Sequence, residues 1–331
     1  MTPRRTHIRF LPWLLSTLAL PGCSSRQSTL DPASDDARTI FHLGWAMYIG
    51  ASVVCAVVVL LLLIAVLRRR STPATTESKR VKGLVLVGGF VVPIIVLAAL
   101  FGAVVRTLPA VSSTGHAARL TIDVTGRQWF WDVRYPETGA ITANEIHIPV
   151  GQPVAVRVRT GDVIHSFWVP RLNRKIDMIP GRGNSIALEA DRPGVFRGQC
   201  AEFCGLQHAH MAFLVVAQQP ADFRAWLARE ARPASPPATA EHHRGLDVFT
   251  SIGCSGCHTI RGTEAHGTVG PDLTHLARRR TLAAATIPNS KGYLGGWILD
   301  PQHVKPGNKM PGLNMTGQQL EDLLSYLESL R

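Results

Sequence analysis

Two long apolar stretches dominate the first third of the chain. They run from about Phe41 to Leu67 and from about Leu84 to Val105, and each reaches the roughly 20 residues that a helix needs to cross a bilayer. The segment between them carries six basic residues: Arg68, Arg69, Arg70, Lys79, Arg80 and Lys82. Such a loop belongs in the cytoplasm under the positive-inside rule. The pattern predicts a transmembrane hairpin within residues 23–110, with the remaining chain on the outer side of the membrane.

A shorter apolar run lies at the amino terminus. Three arginines precede Phe10 to Leu20, and the tetrapeptide Leu-Pro-Gly-Cys follows, ending at Cys23. This order of charge, apolar core and small residues predicts a secretory signal peptide over residues 1–22. Cleavage there would leave Cys23 as a lipidated amino terminus. The alternative is an ordinary signal peptide with a cysteine nearby by chance.

After Arg119, the long apolar runs are replaced by segments in which apolar and polar residues alternate. Short strand-like segments, separated by glycine and proline, continue to about Val216. This spacing predicts an all-β sandwich within residues 111–230. Residues 231–240 are rich in proline, alanine, serine and threonine without an apolar period, which is typical of a linker.

The last part of the chain, residues 241–331, has a helical pattern. Thr316 and Gln319 fit a capping box. Leucines then recur at steps of three and four residues, at Leu320, Leu323, Leu324, Leu327 and Leu330. The predicted fold is therefore a multidomain membrane protein with a two-helix transmembrane hairpin, an all-β sandwich and an all-α carboxyl-terminal domain.

The net charge of +12 is unevenly distributed. Residues 1–110 hold 12 lysines and arginines against 4 acidic residues, whereas residues 241–331 hold 9 against 8. The excess of positive charge therefore flanks the membrane segments rather than covering a folded face, and nucleic-acid binding is not expected.

One segment concentrates soft metal ligands. Residues 200–211 read Cys-Ala-Glu-Phe-Cys-Gly-Leu-Gln-His-Ala-His-Met, with candidate ligands at Cys200, Cys204, His208 and Met211. Thiolate, imidazole and a weak thioether suit electron-transfer copper. Zinc is the competing ion, but zinc sites rarely use methionine and usually take two separated ligand pairs. The pattern favours copper.

A copper pair with bridging thiolates needs a further imidazole. His165, at the end of a strand pattern and among apolar and aromatic neighbours, is the best candidate. His147 and His210 compete with it, and the residues alone leave the choice open.

A second redox site lies downstream. Cys254-Ser255-Gly256-Cys257-His258 has the C-x-x-C-H pattern in which both cysteines attach a c-type haem and the histidine binds its iron. Met310, in Lys-Met-Pro-Gly, is the candidate for the second axial ligand, and Met315 is its rival. Proline next to Met310 favours an extended loop there. Two one-electron centres on one chain predict electron transfer rather than hydrolysis.

The chain resembles subunit II of haem-copper cytochrome c oxidases over roughly residues 38–220. The motifs that carry this resemblance are residues 126–131 (Gly-Arg-Gln-Trp-Phe-Trp), residues 162–166 (Asp-Val-Ile-His-Ser) and the cysteine segment. The resemblance implies a cupredoxin-like sandwich holding the dinuclear copper centre CuA. Its implied ligands are bridging Cys200 and Cys204, terminal His165 and His208, weakly bound Met211 and the carbonyl of Glu202.

Further roles follow from the same resemblance alone. The Glu202 carboxylate would reach a magnesium ion shared with subunit I. Trp129 would be the entry point for electrons, whereas Trp131 is expected to pack in the core. Residues 241–331 resemble a class I cytochrome c, on the Cys254–His258 motif, Gly270-Pro271-Asp272-Leu273 and the Met310 loop. The whole chain therefore resembles the cytochrome-c-fused, caa-type form of subunit II.

The resemblance implies a function and partners. The chain would pass electrons from cytochrome c or another periplasmic donor through haem c to CuA, and then to subunit I, where oxygen is reduced to water. It would belong to a proton-translocating oxidoreductase in the bacterial cell membrane, together with other membrane subunits, and would not reduce oxygen alone. Two alternatives remain: the CuA subunit of a nitric oxide reductase, and a membrane-anchored copper delivery protein.

Overall fold

The computed structural model describes residues 27–68, 79–112 and 118–331. The predicted signal peptide and Cys23 lie outside the described residues, so both stay predictions. The domain boundaries predicted at 110, 230 and 240 also stay predictions, whereas the three predicted architectures are all present.

A long apolar helix and a second, interrupted apolar helix form the predicted transmembrane hairpin. α1 spans Asp35–Leu67, and α2 (Lys79–Leu86) continues through a π-helical turn into α3 (Val92–Val111). Windows within them have mean hydropathies of 3.1 and 2.9, and their side chains are not buried within the protein. Both helices are therefore long and apolar enough to cross a bilayer.

α1 begins six residues before the predicted apolar run. The Ser34 hydroxyl accepts a hydrogen bond from the Ala37 amide at 3.0 Å, and Asp35 and Asp36 occupy the first turn. A capping hydroxyl and acidic residues stabilise a helix amino terminus. The polar start of α1 therefore precedes its apolar part, which the hydrophobic pattern could not show.

Ten strands form the sandwich. Their bounds are β1 Thr121–Arg127, β2 Phe130–Tyr135, β3 Ala140–Ala143, β4 Glu145–Pro149, β5 Val154–Thr160, β6 His165–Trp168, β7 Ile176–Met178, β8 Asn184–Leu188, β9 Gly194–Cys200 and β10 Ala212–Gln218. One sheet has the order β3-β2-β1-β5-β8 and the other β4-β10-β9-β6-β7. The pairs β1–β5 and β4–β10 are parallel, and the other pairs are antiparallel.

Aromatic side chains fill the space between the sheets. Trp131, Phe167 and Phe213 are fully or almost fully buried and contact one another, with the Phe167 and Phe213 rings stacked at 4.7 Å. Phe213 pairs with Gly198 across β9 and β10. A Cβ at Gly198 would lie 2.3 Å from that ring, so only glycine leaves room for it. The predicted packing role of Trp131 agrees with this placement.

A helical domain follows the sandwich. α4 (Pro220–Glu230) comes first and packs on the sandwich through Phe223 and Trp226. The helical domain itself contains α5 Ala240–Ser251, α6 Lys291–Leu299, α7 Pro301–Val304 and α8 Gly317–Ser329. α5 and α8 cross closely at Gly245, where a Cβ would lie 2.1 Å from the Asp322 carbonyl. The predicted capping box starts α8, with Thr316 and Gln319 bonded reciprocally.

The domain predicted as all-α also holds a small hairpin. β11 (Thr281–Leu282) pairs with β12 (Ile287–Pro288), and the segment between them contacts the sandwich. The Ala212 amide donates to the Ala284 carbonyl at 3.2 Å, and the Gln207 side chain donates to the Pro306 carbonyl at 2.6 Å. The two domains are thus in direct contact.

Candidate functional site

Strand ends bring the candidate copper ligands together. His165 opens β6, and Cys200 closes β9. These strands are neighbours, with Phe167 opposite Cys200. Met211 precedes β10, and its carbonyl accepts from the Cys200 amide at 2.9 Å. The segment 200–211 is therefore a loop held at both ends by one sheet, beside the first residue of β6.

Four distances define the cluster. The two sulfur atoms of Cys200 and Cys204 lie 3.8 Å apart. His165 Nδ1 lies 3.8 Å from Cys200 Sγ, and His208 Nδ1 lies 3.7 Å from Cys204 Sγ. Met211 Sδ is 3.7 Å from Cys204 Sγ. Each sulfur thus faces the other sulfur and its own imidazole, which is a symmetric arrangement for two metal ions.

The structure shows why His165, and not His147 or His210, is the additional candidate copper ligand. Its ring is buried, and its Nε2 bonds Asp162 Oδ1 at 2.8 Å, which leaves Nδ1 facing the sulfur atoms. His147 instead stacks on Trp226 at 3.9 Å and bonds Gln218, and His210 bonds Gln207. Neither rival faces the cysteines.

Glu202 contributes two groups with different surroundings. Its carbonyl oxygen lies 3.1 Å from Cys200 Sγ, in the place where a further ligand is expected. Its carboxylate is half-exposed and lies 3.7 Å from Lys175 Nζ. Among the described residues, no other carboxylate is assembled with it into a cation site.

The two thiols cannot both ionise easily by themselves. The hydrogen bond with Cys204 lowers the pKa of Cys200, and the same bond raises the pKa of Cys204. Bound cations remove this conflict, since a thiol that coordinates a metal is deprotonated outright. Two thiolates, two imidazoles and a thioether are a soft donor set that fits copper.

A tight turn presents the haem-binding motif. Cys254–Gly256 forms a single 3-10 turn, with Cys254 half-buried, Cys257 exposed and both thiols free. His258 Nδ1 donates to the Pro271 carbonyl at 2.8 Å, which leaves Nε2 for iron. Burial lowers the pKa of His258, so the ring stays neutral as a ligand must. A Cβ at Gly270 would lie 2.5 Å from this ring, so glycine is needed beside it.

A mostly apolar cavity of about 220 Å³ opens in front of His258, beside a smaller one of about 80 Å³. Met310 lines both, whereas Met315 lines neither and packs on the helical core. Asn308 and Gln302 bond the Met310 backbone and hold its loop. The thiols, the imidazole and the thioether around this cavity fit a covalently attached haem.

Trp129 lies between the two sites. Its Nε1 donates to the Cys204 carbonyl at 3.0 Å, and its side chain lines the same cavity as His258 and Met310. The residue predicted as the entry point for electrons is therefore partly buried, and it faces the helical domain of its own chain.

Sequence reasoning missed three residues that hold the sites. Asp162 orients His165. The side-chain amide of Gln128 donates to the Cys204 carbonyl at 2.8 Å, and the Lys305 ammonium group donates to the Trp129 carbonyl at 2.9 Å. Asp162 stood three residues before His165 and could have been noticed as its partner. Nothing in the sequence pattern distinguishes Gln128 or Lys305.

Two family models match separate parts of the chain. The model described as cytochrome c oxidase subunit II, periplasmic domain, matches residues 140–218, and the cytochrome c model matches residues 243–331. They coincide with the sandwich and the helical domain.

Two similar proteins have the name of the family whose model matches the sandwich. The chain is 35% identical to "Cytochrome c oxidase subunit 2" of Alkalihalophilus pseudofirmus, over 99% of this chain and 98% of the relative. It is 31% identical to the protein of that name from Bacillus sp. (strain PS3), over 64% of this chain and 62% of the relative.

Among solved structures, the periplasmic domain of subunit II (CoxB) of Bradyrhizobium japonicum is 35% identical. The match has a TM-score of 0.33 and covers 34% of this chain and 94% of that one. The likeness to the Alkalihalophilus protein extends over both redox domains and the membrane helices. The chain therefore belongs to the cytochrome c oxidase subunit 2 family, in the form that carries a fused cytochrome c domain.

Proposed function

We propose that this chain is the electron-transfer subunit of a haem-copper terminal oxidase. Electrons would pass from an external donor through covalent haem c to dinuclear CuA, and then to subunit I, where oxygen is reduced to water. The observation that carries this proposal is the pairing of two sulfur atoms 3.8 Å apart, each facing its own imidazole.

In the copper domain, Cys200 and Cys204 would bridge two copper ions. His165 and His208 would be terminal ligands, with Met211 and the Glu202 carbonyl as weaker ones. The copper pair would supply a one-electron redox centre. The chain's own part is to fix the ligands, and it does so by burial and by the hydrogen bond between Asp162 and His165.

In the helical domain, Cys254 and Cys257 would form the two thioether bonds to haem. His258 and Met310 would be the residues that bind its iron, and a histidine–methionine ligand pair raises the reduction potential of haem. The bond from His258 to Pro271 keeps Nε2 directed into the cavity. The cavity lining is mostly apolar, which suits a large aromatic group such as haem.

Trp129 would connect the two centres. Its ring lines the haem cavity and its Nε1 bonds the loop that contains Cys204, so it spans the gap between the domains. We propose that it serves as the electron entry to CuA from the chain's own cytochrome c domain. A soluble donor would then deliver electrons to the haem rather than to Trp129 directly.

The rest of the assignment follows the family. Both redox domains would lie on the periplasmic side of the bacterial cell membrane, anchored by α1 and the α2–α3 unit. Subunit I and other membrane subunits would be its partners, in a proton-translocating complex. Glu202 lies within the copper loop, and its half-exposed carboxylate would bind magnesium together with subunit I.

The test is copurification of the intact complex from its membrane. The largest subunit is then identified, and consumption of oxygen and of nitric oxide is assayed. A haem-copper subunit I with oxygen consumption supports the proposal. A catalytic subunit that reduces nitric oxide and not oxygen would favour the nitric oxide reductase alternative.

The same preparation tests the copper delivery alternative. A haem stain on a denaturing gel and a near-infrared absorption from mixed-valence copper are expected for an oxidase subunit. One labile copper and no attached haem would indicate delivery instead.

A further inference from the structure

Lys305 is a lysine buried between the two redox domains. It follows α7 in the cytochrome c domain and is only 3% exposed. Its Nζ donates to the Trp129 carbonyl of the copper domain at 2.9 Å and to the Ala283 carbonyl of its own domain at 3.4 Å. It also lines the cavity in front of His258, beside Met310.

The two carbonyl groups that accept from Lys305 belong to different domains. The Trp129 carbonyl is part of the copper domain and the Ala283 carbonyl is part of the cytochrome c domain, so both bonds depend on how the two domains are oriented. A buried polar group whose partners are placed in this way can specify one arrangement among several.

The residues after Lys305 also contact the copper loop. The Pro306 carbonyl accepts from the Gln207 amide group at 2.6 Å. Gly307 has a φ of +79°, and a Cβ there would lie 2.7 Å from Leu206 Cδ1. We call residues 305–307 the docking turn. It contacts the segment between Cys204 and His208, and glycine allows both its conformation and its close approach.

Trp129 joins the docking turn to the copper site. Its backbone carbonyl accepts from Lys305, while its indole donates to the Cys204 carbonyl. A displacement of the docking turn would therefore be transmitted to Trp129 directly, and would alter the distance between the haem cavity and the copper ligands.

We infer that Lys305 is a positioning residue whose bond to Trp129 fixes the orientation of the cytochrome c domain on the copper loop. The inference rests on the proposed function in one respect: the two centres exchange electrons. A leucine at this position would keep the domains packed but would not fix their relative orientation.

The experiment compares Lys305→Leu with Lys291→Leu in the full oxidase complex. Lys291 is a matched control because it lies on α6 in the same domain, is half-exposed and pairs with Glu321 away from the interface. Leucine is chosen rather than methionine, since a new thioether in the cavity could bind iron. Metal content and haem stain establish that both centres are loaded.

Two readouts do not depend on turnover. Pulsed dipolar EPR between oxidised haem c and mixed-valence copper should give one narrow distance distribution in the wild type and in Lys291→Leu, and a broader or shifted one in Lys305→Leu. Hydrogen exchange should be faster in Lys305→Leu for the peptide containing the Ala212 amide, whose bond to Ala284 crosses the interface.

The third readout is electron transfer from haem to copper after rapid reduction of the haem. We expect a rate several-fold lower in Lys305→Leu, because electron tunnelling weakens as the distance between two centres increases. Lys305→Gln, which keeps an N–H donor, should give an intermediate rate.

Unchanged distance distributions and exchange in a loaded Lys305→Leu complex would overturn the inference. If Lys305→Gln is no closer to the wild type than Lys305→Leu in these readouts, the inference is also overturned, since an N–H donor at this position would then have no positioning role. If Lys305→Leu changes the distance distribution but the wild type itself shows no transfer between the centres, the proposed function fails and the positioning role stands.

Discussion

The copper site and the haem site are built in opposite ways. At the copper site, a few polar and sulfur groups meet at distances of 3.7–3.8 Å, and strand ends and Asp162 hold them in place. At the haem site, a mostly apolar cavity surrounds one fixed imidazole, and two thiols stand at its edge. A small ion depends on each of its few ligands, whereas a large, covalently attached group is held by many contacts. Single substitutions should therefore damage the copper site more.

The largest effect is expected from Cys200→Ser. A hydroxyl is a poor ligand for copper, and its loss removes one of two bridging sulfurs, so electron delivery to oxygen should fall by more than about a hundredfold. The near-infrared copper absorption should disappear while the haem stain persists. Cys55→Ser, at an exposed position on α1, is the control and should have no effect. Normal oxygen consumption by Cys200→Ser would remove the copper assignment.

Met310→Leu should have the next largest effect, and it tests the tolerance of the haem site. Haem should remain attached through Cys254 and Cys257, but its reduction potential should fall by more than about 0.1 V, since axial ligands control haem potentials. A redox titration of the haem absorption measures this. Met315→Leu should leave the potential unchanged, because Met315 packs outside the cavity. The opposite result would exchange the roles of the two methionines.

Asp162→Asn should have the smallest effect. Loss of the carboxylate that orients His165 should weaken copper binding about tenfold, within the range known for such supporting groups. Competition with a copper chelator measures the affinity. Asp177→Asn is a matched control, since Asp177 lies on neighbouring β7 and pairs with Lys175 at the surface. Equal affinities in both variants would mean that burial alone orients His165.

The sequence was most informative where function is encoded locally. Cys200, Cys204, His208 and Met211 lie within twelve residues, so their spacing alone indicated a site. His165 was different, because three histidines were available and only the pairing of β6 with β9 selects one of them. Family resemblance supplied that choice before the structure did. The membrane spans followed from hydropathy, since length and apolar composition are sufficient to define them.

What the sequence could not show depends on contacts between distant segments. Lys305 is 176 residues from Trp129, and an isolated lysine in a loop is normally a solvated charge. The hairpin of β11 and β12 escaped prediction because two-residue strands leave no periodic pattern. The placement of Trp129 against the cytochrome c domain likewise arises only when the two domains pack together.

The most direct test of the central claim is metal and haem analysis of the purified, fully loaded protein. The account predicts two copper ions and one covalent haem per chain, with the near-infrared absorption of a copper pair that shares one unpaired electron. Zinc, or a single weakly held ion per chain, would contradict it.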